Sequence, residues 1–197
     1  MTDSRSALTE TLAELDILLE RLGRSRATEL DIDDLAREAC LSPDVVVALL
    51  DGGEPPAEDF TARVVSRIKM LRETRLRPDG KPYSWQEIAD SFGVSRASLS
   101  GLVSGHGKSG PLASTQAGIE TFFFSEPTGF LSAEPASALN AALSQVVERL
   151  SREEALEHLG VQEVALRSAA GLSAGDWELV NMLIARLAQE ARQRNTP

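Results

Sequence analysis

A group of hydrogen-bonding side chains falls on one side of a short predicted helix near the middle of the 197-residue chain. The segment is SRASLSGLVS, and its apolar residues share one helical face: Leu99, Leu102 and Val103. The residues left on the opposite face are polar: Arg96, Ser98, Ser100 and Ser104. An arginine can donate two coplanar hydrogen bonds to a guanine edge, and serine hydroxyls can donate or accept. This face therefore predicts contact with a hydrogen-bonding, negatively charged ligand such as a nucleic acid.

The preceding segment has the pattern of another short helix, which would hold the first in place. Ser84 with Glu87 three residues later has the spacing of a capping box. The apolar face that follows consists of Ile88, Ala89 and Phe92. Gly93 is placed to end this helix, Val94 fills the turn, and Ser95 caps the next helix. Two short helices joined by such a turn are the layout of a DNA-binding helix-turn-helix, whose second helix enters the major groove.

Several sequence motifs carry a resemblance to a known superfamily. EIA, GVSRASLSGL and SG resemble the helix-turn-helix of phage Cro and repressor proteins, the Xre-type superfamily. GKSGP and IETFFFSEPTGFL are similar to the fourth helix and following turn of that domain, and also resemble actinobacterial EspR-like transcriptional regulators. VALRSAAGLSAGDWELVNMLI resembles the C-terminal helical tail of those regulators. The resemblance covers residues 63–187 and implies a lambda-repressor-like, all-α DNA-binding domain.

The resemblance also assigns positions on the reading helix. It implies that Arg96, Ala97 and Gly101 occupy the usual base-facing positions. Trp85 lies where the family usually has a phosphate-contacting glutamine, and Gly101 replaces a side chain that commonly reads a base. We therefore expect recognition to depend also on serines, water and DNA shape. The predicted DNA-binding residues are Ser84, Trp85, Gln86, Ser95, Arg96, Ala97, Ser98, Ser100, Gly101, Ser104, His106 and Lys108. Phosphate contacts are expected from Arg63, Arg67, Lys81 and Lys108.

Charge is distributed unevenly along the chain, whose formal net charge is -10. Residues 1–60 hold 5 basic and 15 acidic side chains, whereas residues 61–110 hold 9 basic and 4 acidic ones. Residues 111–197 hold 6 basic and 11 acidic side chains. Positive charge is thus concentrated around the predicted helix-turn-helix, where phosphate contacts need it.

The chain divides by pattern into three predicted parts. Residues 1–56 form an acidic helical unit, residues 60–131 the helix-turn-helix domain, and residues 132–197 a helical dimerisation region. Within the first part, residues 5–22 form a leucine-striped helix, and residues 31–51 look like a further helix-turn-helix without a basic residue on its second helix. That unit is interpreted as scaffold or protein-docking surface, since its acidic side chains repel phosphate.

The C-terminal part has broad apolar stripes. Residues 136–150 predict an amphipathic helix, and Ser151 with Glu154 resembles a capping box that would start another. Residues 161–170 and 177–191 predict two more helices. A stripe this broad on a terminal helix predicts a partner surface, so we expect a homodimer formed through the C-terminal helices.

Residues suited to catalysis or metal binding are few. Two histidines and one cysteine, Cys40, lie far apart in sequence, so we expect no enzyme activity, cofactor or metal. No apolar run is long enough to span a membrane, and the lone cysteine fits a reducing cytoplasm. The sequence therefore predicts a cytoplasmic, nucleoid-located DNA-binding transcriptional regulator that acts as a homodimer. The alternatives are an architectural nucleoid protein, and an adaptor or antirepressor that uses a helix-turn-helix to bind protein.

Overall fold

The computed structural model of the chain describes residues 4–105 and 112–158, together with Met182 and Arg186. All regular elements in these residues are α-helices, which confirms the all-α class for this part of the chain. The helices are α1 (Ser4–Arg21), α2 (Arg26–Glu29), α3 (Ile32–Ala39), α4 (Pro43–Leu50), α5 (Phe60–Thr74), α6 (Trp85–Ser91), α7 (Arg96–Val103), α8 (Ala113–Phe124) and α9 (Pro135–His158).

The chain groups into two compact units. Among the described residues, unit 1 comprises 4–8, 31–105 and 112–142, and unit 2 comprises 9–30 and 143–158 with Met182 and Arg186. Unit 1 therefore contains the start of α1, all of α3 to α8 and the start of α9, including α7, the predicted reading helix. The three predicted domain ranges divide the chain differently and stay predictions.

One hydrophobic core cluster of unit 1 is built from α5 to α8 and the segments beside them. Ten buried side chains form it: Cys40, Val64, Ile68, Leu71, Ile88, Ala89, Leu99, Val103, Ile119 and Leu131. These include Ile88 and Ala89 of α6 and Leu99 and Val103 of α7, which helical spacing assigned to the inner faces. Phe92 and Leu102, assigned likewise, are partly buried and pack against the cluster. Burial raises the pKa of the Cys40 thiol to about 11, so Cys40 behaves as a small buried hydrophobe.

Four phenylalanines and a tyrosine pack around the edge of this core. The ring of Tyr83 meets Phe122 edge-on with centroids 4.9 Å apart, and Phe122 meets Phe123 at 5.0 Å. Phe124 instead packs on Phe130, 5.4 Å away. Phe122 and Phe123 thus share one aromatic cluster with Tyr83, whereas Phe124 packs on a different ring, since a helix turns 100° per residue.

The turn after α8 is held by two buried charged side chains. Glu120 is 2% exposed, and its carboxylate accepts hydrogen bonds from the backbone N–H groups of Thr128, Gly129 and Leu131 at 2.6–2.7 Å. Arg67 is 1% exposed, and its Nη1 donates to the carbonyls of Phe130 and Ala133 at 2.6 and 2.7 Å. Glu120 therefore accepts from the backbone N–H groups of the turn, and Arg67 donates to its backbone carbonyl groups.

In unit 2 the described segments are stabilised by buried leucines and by four ion pairs among two arginines and two glutamates. The buried leucines of α1 and α9 there are Leu15, Leu18, Leu19, Leu143 and Leu150. Arg24 and Arg149 each contact both Glu29 and Glu153, at 2.7–3.4 Å. Burial acts to raise the pKa of Glu153, but hydrogen bonds from Arg24 and Arg149 outweigh it and the pKa is lowered.

One predicted helix boundary is wrong. Ser151 and Glu154 lie inside α9, which runs from Pro135 to His158 without interruption. Here the stripe of buried side chains from Leu139 to Leu150 continues the helix past a local capping signal. The helices predicted at 161–170 and 177–191, and the dimer surface placed on them, lie outside the described residues apart from Met182 and Arg186.

Candidate nucleic-acid interface

Helix α6 begins at a complete capping box. The Ser84 hydroxyl accepts a hydrogen bond from the backbone N–H of Glu87 at 3.2 Å, and the Glu87 carboxylate accepts one from the Ser84 N–H at 2.7 Å. The hydrogen bond from the Ser84 backbone, with a further contribution from the Ser84 side chain, lowers the pKa of Glu87. On the exposed side of the same helix, the Gln86 amide donates to Asp90 at 2.6 Å. The predicted contact residues Ser84 and Gln86 are therefore exposed and held in place by local bonds.

A tight turn connects α6 to α7. Gly93 has a φ of 74°, in the left-handed region where glycine has no Cβ penalty. The N–H of Val94 then bonds back to the carbonyl of Ala89 at 3.1 Å. Val94 packs on the core of unit 1, and Ser95 follows as the N-cap of α7. The turn residues thus have the roles that the sequence assigned to them.

Helix α7 has a buried face and an exposed polar face. Leu99 and Val103 are buried, and the Ser95 hydroxyl accepts from the Ser98 N–H at 3.1 Å. The exposed residues are Ser95, Arg96, Ala97, Ser98, Ser100 and Ser104. At Gly101 an added Cβ would meet no atom within 4 Å, so this part of the face is open. The face combines one arginine, several hydroxyls and little side-chain bulk.

Trp85 is held by packing. It is half-buried against the core of unit 1, and the Arg72 guanidinium lies over its ring, 4.9 Å from the centroid. Arg72 also donates from Nε to the Tyr83 carbonyl at 2.7 Å. A tryptophan at this position is therefore explained by a cation–π contact that fixes the start of α6.

The interpretation of Arg67 as a phosphate contact is wrong. Arg67 is buried, and desolvation together with the nearby Arg63 charge lowers its pKa to about 10. Arg63, expected to share that role, is only 11% exposed at its side chain and pairs with Glu134 at 3.3 Å. Both arginines stabilise unit 1 because the turn after α8 covers this face of α5, a long-range contact that helical spacing does not show.

Most other cations near the motif also have intramolecular partners. Arg75 pairs with Glu38 at 2.6 Å, and Arg77 pairs with Asp79 and Glu87. Within residues 61–105, three exposed cations make no ion pair with another described residue: Lys69, Lys81 and Arg96. Five of the eight described cations in this range are therefore paired, buried or stacked within the chain, and Arg96 is the cation that α7 itself presents. His106 and Lys108 lie outside the described residues.

The roles of the two buried charged side chains, Arg67 and Glu120, in holding the turn after α8 were missed by sequence reasoning. A weak signal exists for Glu120, because a single carboxylate lies within the apolar run of α8 just before a Pro and Gly turn whose N–H groups need acceptors. Among the described residues, no group of three or more His, Cys, Asp or Glu side chains could hold a metal ion. Nor does that part of the chain contain a helix with the length and apolarity to cross a bilayer.

Neither a protein-family model, nor a curated protein, nor a solved structure matches this chain.

Proposed function

We propose that this chain is a sequence-specific DNA-binding transcriptional regulator of the Xre helix-turn-helix type, which acts as a homodimer at the nucleoid. The observation that carries the proposal is the arrangement of α6 and α7. Both helices are fixed by serine caps and buried faces, while α7 keeps its opposite face open with Arg96 exposed. A rigid helix with an uncovered polar face suits insertion into a major groove.

In this proposal α7 enters the groove by its N-terminal end. Arg96 donates both arms of its guanidinium to a guanine, and the serine hydroxyls bind base edges directly or through water. Lys81, which is exposed and precedes α6 by four residues, binds a phosphate together with Lys108. The small residues Ala97 and Gly101 allow the helix backbone to approach the bases closely.

The test is site selection from a random duplex library, followed by measurements on the selected site and on a random duplex. Arg96→Ala should weaken binding to the selected site by about 1–3 kcal/mol and change binding to the random duplex little. Arg96→Lys is the matched control, because it keeps the charge and removes the two-armed hydrogen bond. If Arg96 reads a base, the lysine variant loses nearly as much on the selected site as the alanine variant.

Equal losses on both duplexes would make Arg96 a phosphate contact and favour an architectural nucleoid protein. Absence of binding to any duplex would contradict DNA binding and favour an adaptor that uses the same face for protein.

A further inference from the structure

Unit 1 contains the same helix–turn–helix arrangement twice, and the two copies align without insertions or deletions. Residues 31–52 repeat as residues 84–105, each position lying 53 residues further along the chain. Asp31 and Ser42 cap α3 and α4 by accepting from the N–H three residues on, as Ser84 and Ser95 do for α6 and α7.

The turns and cores of the two copies also correspond. Cys40 and Gly93 both have positive φ, 48° and 74°. Leu41 N–H bonds to the Ala36 carbonyl at 3.0 Å, just as Val94 bonds to Ala89 at 3.1 Å. Three further pairs are buried in both copies: Leu35 with Ile88, Ala36 with Ala89, and Val46 with Leu99. Helix α4 is therefore the counterpart of α7.

The outer faces of the two copies differ in chemistry. On α4 the positions matching Ala97, Ser100 and Ser104 are Asp44, Val47 and Asp51. The position matching Arg96 is Pro43, so α4 has no cation. Asp44 and Asp51 are exposed, and Val47 between them is 43% exposed. Two carboxylates around an uncovered aliphatic side chain repel DNA and suit a surface with a cation beside small residues.

Helix α7 presents such a surface. Arg96 is exposed, Ala97 lies beside it, and a Cβ at Gly101 would meet nothing. Within one chain both the α4 face and the α7 face are exposed, so they do not cover each other. A contact between them needs a second copy.

We propose that α4 of one copy docks on α7 of a second copy and thereby covers the surface proposed to read DNA. Val47 fits against Ala97 and Gly101, while Asp44 and Asp51 flank it and supply the negative charge that phosphates supply on DNA. The regulatory meaning rests on the proposed function: self-association and DNA binding compete for one face of α7. The docking itself is independent of DNA.

The direct test is cross-linking between copies of the full-length chain. A Val47→Cys copy mixed with an Ala97→Cys copy should be joined by a short bismaleimide, and excess NaCl should reduce the yield. Ile17→Cys mixed with Ala97→Cys is the matched control, since Ile17 is an equally exposed aliphatic residue (50%) on α1. The native Cys40 is buried, and the wild-type chain alone measures the background cross-linking through that thiol. A yield from the Val47 pair no higher than that of the control overturns the docking.

The second measurement uses DNA binding and a pair of charge-matched variants. Asp44→Asn with Val47→Ser and Asp51→Asn alters the α4 face, and Glu14→Gln with Ile17→Ser and Glu20→Gln makes the same charge change on exposed α1 residues. The α4 variant should bind duplex with a dissociation constant lower by about threefold or more, and the α1 variant should change it less than about twofold. Equal changes in the two variants contradict competition.

The two proposals fail separately. Cross-linking without binding to any duplex supports the docking and contradicts the DNA-binding function. Binding to a selected duplex without cross-linking supports the function and contradicts the docking.

Discussion

At the scale of single residues, burial decides what each arginine of α5 does. Arg67 lies one position before Ile68 and three after Val64, both completely buried, so its side chain starts at the edge of the apolar stripe. The turn from Thr128 to Ala133 then covers that edge and supplies carbonyl acceptors for Nη1. Arg67 Nε and Nη2 have no hydrogen-bond partner, which fits a charge whose pKa is lowered mainly by desolvation.

Removing Arg67 should therefore weaken folding. Arg67→Ala leaves the carbonyls of Phe130 and Ala133 without a donor and opens a cavity, so we expect a loss of about 3 kcal/mol in the free energy of unfolding. Lys69→Ala, at an exposed position of the same helix, should change it by less than about 0.5 kcal/mol. Urea denaturation followed by circular dichroism measures both. An Arg67→Ala chain that keeps wild-type stability but binds all duplexes less well would restore the phosphate role.

At the scale of elements, local sequence signals were sufficient to predict the ends of α6 and α7 but not the course of α9. Serine caps and Gly93 act over three or four residues, so the ends of α6 and α7 could be predicted from the sequence. The signal at Ser151 was equally clear but was overridden by packing along α9. In the same way, spacing predicted the exposed face of α7, whereas the partners of Arg63 and Arg67 are 63–71 residues away and carry no local signature.

Two glycines of the α6–α7 unit should respond in opposite ways to the same substitution. At both Gly93 and Gly101 an added Cβ meets no atom within 4 Å, so only the backbone differs. Gly101 lies inside α7, and Gly101→Ala should raise the free energy of unfolding by about 0.5–1 kcal/mol. Gly93 has a φ of 74°, and Gly93→Ala should lower it by about 1–2 kcal/mol. Thermal and urea unfolding of the two variants measure these free energies. If Gly93→Ala also raised the free energy of unfolding, the turn would have to relax to accept alanine.

At the scale of the whole molecule, formal charge overstates the potential available to a partner. Residues 61–110 hold nine basic side chains, yet Arg63, Arg67, Arg72, Arg75 and Arg77 are all engaged within the chain. The exposed cations of this region that make no ion pair with another described residue are Lys69, Lys81 and Arg96. Acidic residues elsewhere bring the whole chain to -10, so the proposed DNA affinity depends on a few contacts and a small surface.

The salt dependence of DNA binding should show how few those contacts are. Each neutralised phosphate contributes about -0.9 to the slope of log K against log salt concentration. Three lysines on phosphates, Lys69, Lys81 and Lys108, therefore give a slope of about -3 for each bound copy, and the Arg96 charge in the groove would bring it to about -4 at most. Nine contacting cations would give about -8. Lys81→Ala should make the slope shallower by about 0.9, while Arg75→Ala, whose guanidinium is paired with Glu38, should leave it unchanged. Fluorescence anisotropy on one duplex at several NaCl concentrations measures these slopes. A wild-type slope near about -8 would mean that the internal ion pairs open on DNA, and that Arg75 and Arg63 turn from Glu38 and Glu134 to phosphate.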